Sequence, residues 1–384
     1  MKPKVIVIVG PTASGKTALA IRLAKKINGE IVSCDSMQVY KDMTIGTAKP
    51  TKEEQAEVQH YLVDIVSPDE RYTVSDYRKD AKKAIEKIIA NGKIPIVVGG
   101  TGLYADALIY EIEYPEIETN EAYRRKLEQR AQEEGLEELY KEAYIIDKEA
   151  MKKISPNDQK RILRVLEIYH DTGKTKTQLE AESRKNDIPY DYHIFAIDMP
   201  REILYERIEK RVDMMIKLGL IKEVEDLFKK YDKFPTAMQG IGYKEIKEYL
   251  DGNLSKAEAV EKIKKESKHY AKRQLTWFRK NKNTLWIDGL NDAKENVDYI
   301  IEKLKRWKNL NDKKPKENTN QKEILKIAAI AIILIIAIYI IYMIYGLIKQ
   351  PTNVFVVENG KLTMEEETVR LYYSWRNCSA RRKL

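Results

Sequence analysis

The first residues in this chain with a chemistry of their own are a lysine and a threonine closing a glycine-bearing loop. Gly10, Pro11, Thr12, Ala13, Ser14, Gly15, Lys16 and Thr17 follow the apolar run Val5–Val9 and lead into the helix-forming segment Ala18–Leu23. Strand, loop and helix start in this order make a phosphate-binding P-loop. Backbone N–H groups left unpaired at a helix N-terminus meet anionic oxygens together with the positive end of the helix dipole. Lys16 adds a point charge, and the Thr17 hydroxyl is a candidate Mg²⁺ ligand, the rest of the shell being phosphate oxygen and water. Two more loops carry reactive groups: Asp35-Ser36-Met37-Gln38-Val39-Tyr40 beyond a second apolar run, and Gly99-Gly100-Thr101-Gly102-Leu103-Tyr104 beyond a third. Ligands of open parallel sheets bind outside the carboxyl ends of the strands, so Asp35 and Thr101 are expected to face the P-loop. The Asp35 carboxylate has two possible tasks there, holding Mg²⁺ or taking a proton from a nucleophile beside the phosphates. The Thr101 hydroxyl can orient a reacting group.

The elements that must position these loops are legible as apolar runs. Glu30–Cys34, Ile94–Val98, His193–Asp198 and Thr284–Asp288 join Val5–Val9 as expected buried strands, alternating with helical patterns such as Ser75–Ala90 and Arg201–Lys217. The fold class is α/β, a P-loop core with a parallel sheet covered by helices on both faces. Between Asn120 and Asn186 the sequence turns to charged helical patterns, Glu121–Glu134, Leu136–Asp147 and Asp158–Asp171, a helical insertion closed by Thr172-Gly173-Lys174. Farther on, Ala257–Lys282 reads as a long basic helix. Its Lys268, Lys272, Arg273, Arg279 and Lys280 alternate with Tyr270, Trp277 and Phe278. That mixture suits phosphate backbones and stacked bases, and equally a solvated helix with core aromatics.

Composition bounds the rest. The chain has 384 residues, 69 basic against 60 acidic, for a net charge of +9, which suits an anionic partner. Its two cysteines, Cys34 and Cys378, fit neither a zinc site nor a disulfide framework and point to a reducing compartment. Ile327–Ile348 is an uncharged, almost wholly apolar run of 22 residues, roughly 33 Å as a helix at ~1.5 Å per residue, enough to cross a hydrocarbon core. It is expected to be a C-terminal transmembrane helix. Lys313, Lys314, Lys316, Lys322 and Lys326 precede it, which places a cytoplasmic catalytic body on that side, tethered to the membrane by one span.

The set of motifs is specific. The P-loop, Asp35–Tyr40, Ile45-Gly46-Thr47-Ala48-Lys49-Pro50, Gly99–Tyr104, Arg161-Ile162-Leu163-Arg164-Val165-Leu166-Glu167, Gly240-Ile241-Gly242-Tyr243-Lys244-Glu245 and Ala271-Lys272-Arg273-Gln274-Leu275-Thr276-Trp277-Phe278-Arg279 together resemble the bacterial tRNA dimethylallyltransferases. The resemblance runs from about Lys4 to Gly289 in the same order. It implies transfer of a dimethylallyl group from dimethylallyl diphosphate to the exocyclic amine of the adenine 3′ of the anticodon, in tRNAs reading codons that begin with U. On this resemblance the P-loop holds a diphosphate leaving group, with Lys16, a Mg²⁺ ion on Thr17 and Arg211 stabilising it as the allylic C–O bond breaks. Asp35 becomes the general base and Thr101 a hydrogen-bonding partner in the same region. Asp35, Ser36, Met37, Gln38, Thr101, Arg124, Gln159, Lys160, Arg161, Ile162, Leu163 and Gln239 become candidates for contact with the tRNA anticodon arm.

The expected organisation is a catalytic core in two parts, 1–119 and 191–308, around the insertion 120–190. A linker at 309–326, the span 327–348 and a short tail at 349–384, read as a fusion remnant, complete it. The catalytic body is expected to be monomeric. Two rival readings use the same residues: an ATP-dependent P-loop kinase acting on a small molecule or nucleotide, and a membrane-tethered RNA-binding protein without catalysis.

Overall fold

In the computed structural model the described residues are 2–113, 120–183 and 187–313, with a few beyond: Leu334, Ala337, Ile338, Ile340, Ile341, 356–358 and 361–363. Met1–Trp307 forms one compact unit. Its spine is a six-stranded parallel sheet built from β1 (Lys4–Val9), β2 (Gly29–Ser33), β3 (His60–Tyr61), β4 (Ile94–Gly99), β5 (Asp191–Asp198) and β6 (Leu285–Asp288). Strand order across the sheet is β3-β2-β4-β1-β5-β6. β1 lies at its centre, with Val9 level with Gly99 of β4 on one side and Ala196 of β5 on the other.

This register explains the unbroken apolar runs. Alternate residues of β1 point to opposite faces: Val5, Val7 and Val9 enter one core cluster, while Ile6 and Ile8 enter a second. A strand covered on both faces has no polar side to show in its sequence. Helices α1 (Lys16–Ile27), α2 (Lys52–Glu57) and α3 (Val74–Ala90) connect the first four strands, and α4 (Gly102–Ile109) follows β4. α3 starts at a Thr73/Asp76 capping box, which satisfies two of the N–H groups that a helix start leaves unpaired.

Between β4 and β5 come α5 (Glu121–Glu133), α6 (Leu136–Ile146), α7 (Lys148–Met151), α8 (Gln159–Thr172) and α9 (Lys176–Ser183). They enclose a core of their own around Leu127, Leu139, Met151, Ile162 and Leu166. Gly173, at φ 66°, caps α8, and α9 follows it. After β5 run α10 (Arg201–Leu218), α11 (Leu220–Lys230), a 3₁₀ turn at Ala237–Gln239, α12 (Tyr243–Leu250) and α13 (Lys256–Phe278). β6 and α14 (Ala293–Lys313) come next, and farther along the chain β7 (Val356–Glu358) and β8 (Lys361–Thr363) pair as a separate antiparallel ribbon. The strand β3, only two residues long, is too short to leave a run in the sequence.

One expectation is corrected. Among the described residues no helix is long and apolar enough to cross a membrane, so the transmembrane element of the fold class and the membrane tether do not stand. Length and hydropathy make a run a candidate, whereas a span needs some 20 consecutive residues in one helix. The described helical residues in it are Leu334, Ala337, Ile338, Ile340 and Ile341, and the rest of 327–348 lies outside the described residues, as do most of 309–326 and 349–384.

Candidate active site

The carboxyl ends of β1, β2 and β4 converge, and backbone contact holds them in step. Cys34 N–H donates to the Val98 carbonyl at 2.7 Å, and Thr101 N–H to the Cys34 carbonyl at 3.2 Å. In the P-loop Gly15, at φ 88°, supplies the left-handed step that turns the chain into α1. Ser14 Oγ is buried there without a hydrogen-bond partner. A buried hydroxyl in that condition is a free donor, and an oligophosphate oxygen is the acceptor that suits it.

Lys16 extends from the start of α1, its Nζ donating to the Pro11 carbonyl at 2.6 Å. The residue keeps some exposed surface, but its ammonium is desolvated. That burial, reinforced by the Arg211 guanidinium and opposed by the Asp35 carboxylate, pushes the ammonium down to about 7. Arg211 itself is lowered, first by burial, with Asp35 acting the other way. Its Nε is buried and unpartnered. Two cations held together with one carboxylate between strand ends leave a surplus of positive charge, which a diphosphate would neutralise.

Asp35, Arg211 and Thr12 of the P-loop share one cavity of about 270 Å³. Ser36, Met37, Gly46, Thr47, Gln239 and Tyr270 also line it, with Ile208, Val212, Met215 and Ile263 forming an apolar wall. Asp35 Oδ1 accepts from the N–H groups of Met37 at 2.9 Å and Gln38 at 3.3 Å. One oxygen thus fixes the turn after β2. Thr101 Oγ1 accepts from Ser36 N–H at 3.0 Å and also bonds the Tyr270 hydroxyl, whose pKa is raised by burial and by the nearby Asp35 charge.

The other sequence-predicted residues divide. Gln239 lines the cavity and accepts from Lys160 Nζ at 3.1 Å, which links α8 to the active-site rim. Gln159, Lys160 and Arg161 are exposed at the start of α8. Ile162 and Leu163, by contrast, are 0% and 1% exposed in the insertion's own core. A direct side-chain contact of these two with tRNA is therefore corrected, since helical periodicity turns them inward from the exposed residues before them. Arg124 is committed to acids, Glu167 at 3.0 Å and Glu128 at 3.1 Å. Gln38 is occupied too: Ser33 Oγ donates to its Oε1 at 3.0 Å, and its Nε2 donates to the carbonyls of Thr47 and Ala48. Cys34 is wholly buried, and burial pushes its thiol up to about 12, which leaves it unreactive.

Four residues that hold this site were given no part in building it by sequence reasoning. Gln274, buried on α13, accepts from Thr12 N–H at 2.8 Å and donates to the Gly100 carbonyl at 2.8 Å. Trp277, one turn on, donates to Asp106 of α4 at 2.8 Å. A Cβ at Gly100 would lie 2.2 Å from Gln274 Nε2, and one at Gly102 would lie 2.4 Å from the Trp277 ring. These glycines let α13 press directly on the loop after β4. The other two, Glu223 and Tyr243, grip the segment Thr44–Gly46. The signal for Gln274 and Tyr243 lay in motifs quoted for resemblance alone, Trp277 was read as an aromatic of the basic helix, and Glu223 carried no signal.

Among the described residues no group of three or more His, Cys, Asp or Glu side chains could hold a metal. A cation would depend on hard oxygen donors, the Thr17 hydroxyl and the oxygens of a bound phosphate, which suits Mg²⁺ and excludes a zinc-type cage of protein ligands.

Comparison with known proteins agrees with this geometry. The family model described as IPP transferase matches residues 38–281. A tRNA dimethylallyltransferase from Acetivibrio thermocellus is 50% identical over 304 residues, covering 79% of this chain and 96% of that protein. The crystal structure of the full-length tRNA isopentenylpyrophosphate transferase from Bacillus halodurans is 40% identical, with a TM-score of 0.60 over 81% of this chain and all of that one. A eukaryotic dimethylallyltransferase, described as acting on tRNA, has a TM-score of 0.67 at 27% identity over 98% of this chain and 96% of its own. With its P-loop, its Asp35–Arg211 cavity and identity at this level over nearly the full length of a curated relative, the chain belongs to the tRNA dimethylallyltransferase family.

Proposed function

We propose that the chain transfers a dimethylallyl group from dimethylallyl diphosphate to the exocyclic amine of the adenine immediately 3′ of the anticodon, in tRNAs reading codons that begin with U. The observation that carries this reading is one cavity where the Asp35 carboxylate, the Arg211 guanidinium and an apolar wall meet Thr12 of the P-loop, with the Lys16 ammonium close enough to feel both charges. Such a cavity has an end for each reactant. The P-loop amides, Ser14, Lys16 and Arg211 bind the diphosphate, and the wall of Ile208, Val212, Met215 and Ile263 takes the five-carbon chain. Asp35, Ser36, Met37 and Gln239 receive the extruded base.

The allylic C–O bond breaks and the diphosphate leaves with its electron pair. The adenine nitrogen bonds the freed carbon, and its proton passes to the unbonded oxygen of Asp35. Arg211 and Lys16 stabilise the charge that develops on the leaving group. Mg²⁺, where bound, would be held by Thr17 and would neutralise part of the same charge. Thr101, fixed by Ser36 and Tyr270, orients the amine. Gln159, Lys160 and Arg161 of the insertion contact the anticodon arm, and Lys160 reaches the rim through Gln239. The kinase reading is not favoured, because an apolar wall beside the phosphate cradle has no use in moving phosphate to a polar acceptor.

The test is incubation of the full chain with Mg²⁺, dimethylallyl diphosphate and unmodified tRNA, followed by mass analysis of the digested nucleosides. Isopentenylated adenosine confined to the position after the anticodon is the expected product. ATP consumption with phosphate moved to a small acceptor, and no modified nucleoside, would hand the site to the kinase reading.

A further inference from the structure

Two motifs of the sequence, Ile45–Pro50 and Gly240–Glu245, meet in the fold around one carboxylate. Glu223 on α11 accepts from the backbone N–H of Thr44 at 3.0 Å and Ile45 at 2.7 Å through one oxygen, and from Gly46 at 3.1 Å through the other. The Tyr243 hydroxyl, at the start of α12, donates to that second oxygen at 2.7 Å. The Tyr243 ring is fully buried and lies flush on Gly46, where a Cβ would come within 2.5 Å of it. Successive backbone N–H groups converging on one anion form a nest, and here the anion is a side chain of the protein.

The clamped loop is a wall of the active cavity. Gly46 and Thr47 line it together with Asp35, Ser36, Met37, Gln239 and Tyr243 itself. The same loop is tied from below by Gln38 Nε2, which donates to the Thr47 and Ala48 carbonyls. Gly46 has no side chain to hold it, and its amide is taken up by Glu223. Glu223, Tyr243 and Gln38 grip the loop from outside, while Ala48 N–H to the Ile45 carbonyl at 3.0 Å and Lys49 N–H to the Thr44 carbonyl at 3.1 Å close it from within.

We infer that Glu223, with Tyr243, is a positioning residue for the acceptor base: it holds the 44–47 loop as the wall against which the extruded adenine seats, without itself touching a substrate. The inference rests on the proposed prenyl transfer. Freeing the loop widens the acceptor end alone, because the P-loop and Arg211 take no support from Glu223. Loss of these bonds therefore separates the two substrates kinetically.

The experiment measures KM for tRNA and for dimethylallyl diphosphate, with the full chain carrying Glu223→Gln and, separately, Tyr243→Phe. Gln keeps the shape but turns an NH₂ toward N–H donors, and Phe removes one bond with the ring intact. The expected result for Glu223→Gln is a rise in tRNA KM on the order of tenfold or more, the size of a lost charge-assisted hydrogen bond. Donor KM stays within about twofold, and Tyr243→Phe shows the same split at smaller amplitude. Equal shifts in both KM values, or an unchanged tRNA KM in either variant, overturn the inference. Should Glu223→Gln not fold, Tyr243→Phe decides alone. An inactive wild-type chain would instead count against the transfer reaction, so the two failures are told apart.

Discussion

Asp35 divides its labour between its two oxygens. Because Oδ1 is spent on the Met37 and Gln38 amides, Asp35→Asn keeps an acceptor there and preserves the turn, while removing the proposed base. Transfer is expected to fall by 10²–10⁴-fold, the usual worth of a general base, with diphosphate binding by calorimetry nearly unchanged. Near-normal turnover of the variant would show that the proton goes elsewhere. Lys16 offers a pH test. Its ammonium is held near 7, so the group is charged below that pH and neutral above it, and only the charged form assists diphosphate binding. kcat/KM for the donor is therefore expected to decline as pH rises through about 7, since this ratio reports the free enzyme. Lys16→Arg, permanently charged, should lose that decline. A wild-type profile flat to pH 9 would contradict the assignment.

At the scale of elements, α13 carries the clearest prediction. Gln274→Leu conserves volume but strands the Thr12 amide and the Gly100 carbonyl, at a cost of about 1–3 kcal/mol for each group left unpaired. Thermal denaturation should show the loss, and KM should rise for donor and acceptor together, unlike the split expected at Glu223. This helix also marks where sequence reading stops. Its basic and aromatic residues were visible, and an RNA-facing surface was one of two readings they allowed. In the fold Lys264 pairs with Asp213 at 2.9 Å and Arg279 with Asp198 at 3.3 Å, while Gln274 and Phe278 are buried. Periodicity gives a helix its faces but not its neighbours, so Gln274 read only as one polar residue among others. The strands were legible because burial on both faces leaves no polar alternation, and the P-loop because phosphate binding demands its residues in contiguous order. Glu223 was not, because its three amide partners lie about 180 residues away.

For the whole molecule, the hydrophobic clusters found among the described residues draw on positions up to Leu304, and the first compact unit closes at Trp307. A chain ending at residue 313, after α14, is expected to melt in the same transition and to modify tRNA at the full rate. Loss of activity in that shortened chain, assayed by nucleoside mass analysis, would give the remaining residues a function in catalysis. The net charge of +9 adds an expectation of its own. KM for tRNA should climb steeply between 50 and 200 mM salt, following counterion release, while the donor, enclosed in its cavity, responds less.

The double grip of Gln274 has a mechanical meaning. One side chain spans the P-loop and the loop after β4, 88 residues apart in sequence between Thr12 and Gly100, and fastens both to a single helix. α13 is therefore a common latch. A fluctuation that lifts it slackens both loops in the same instant.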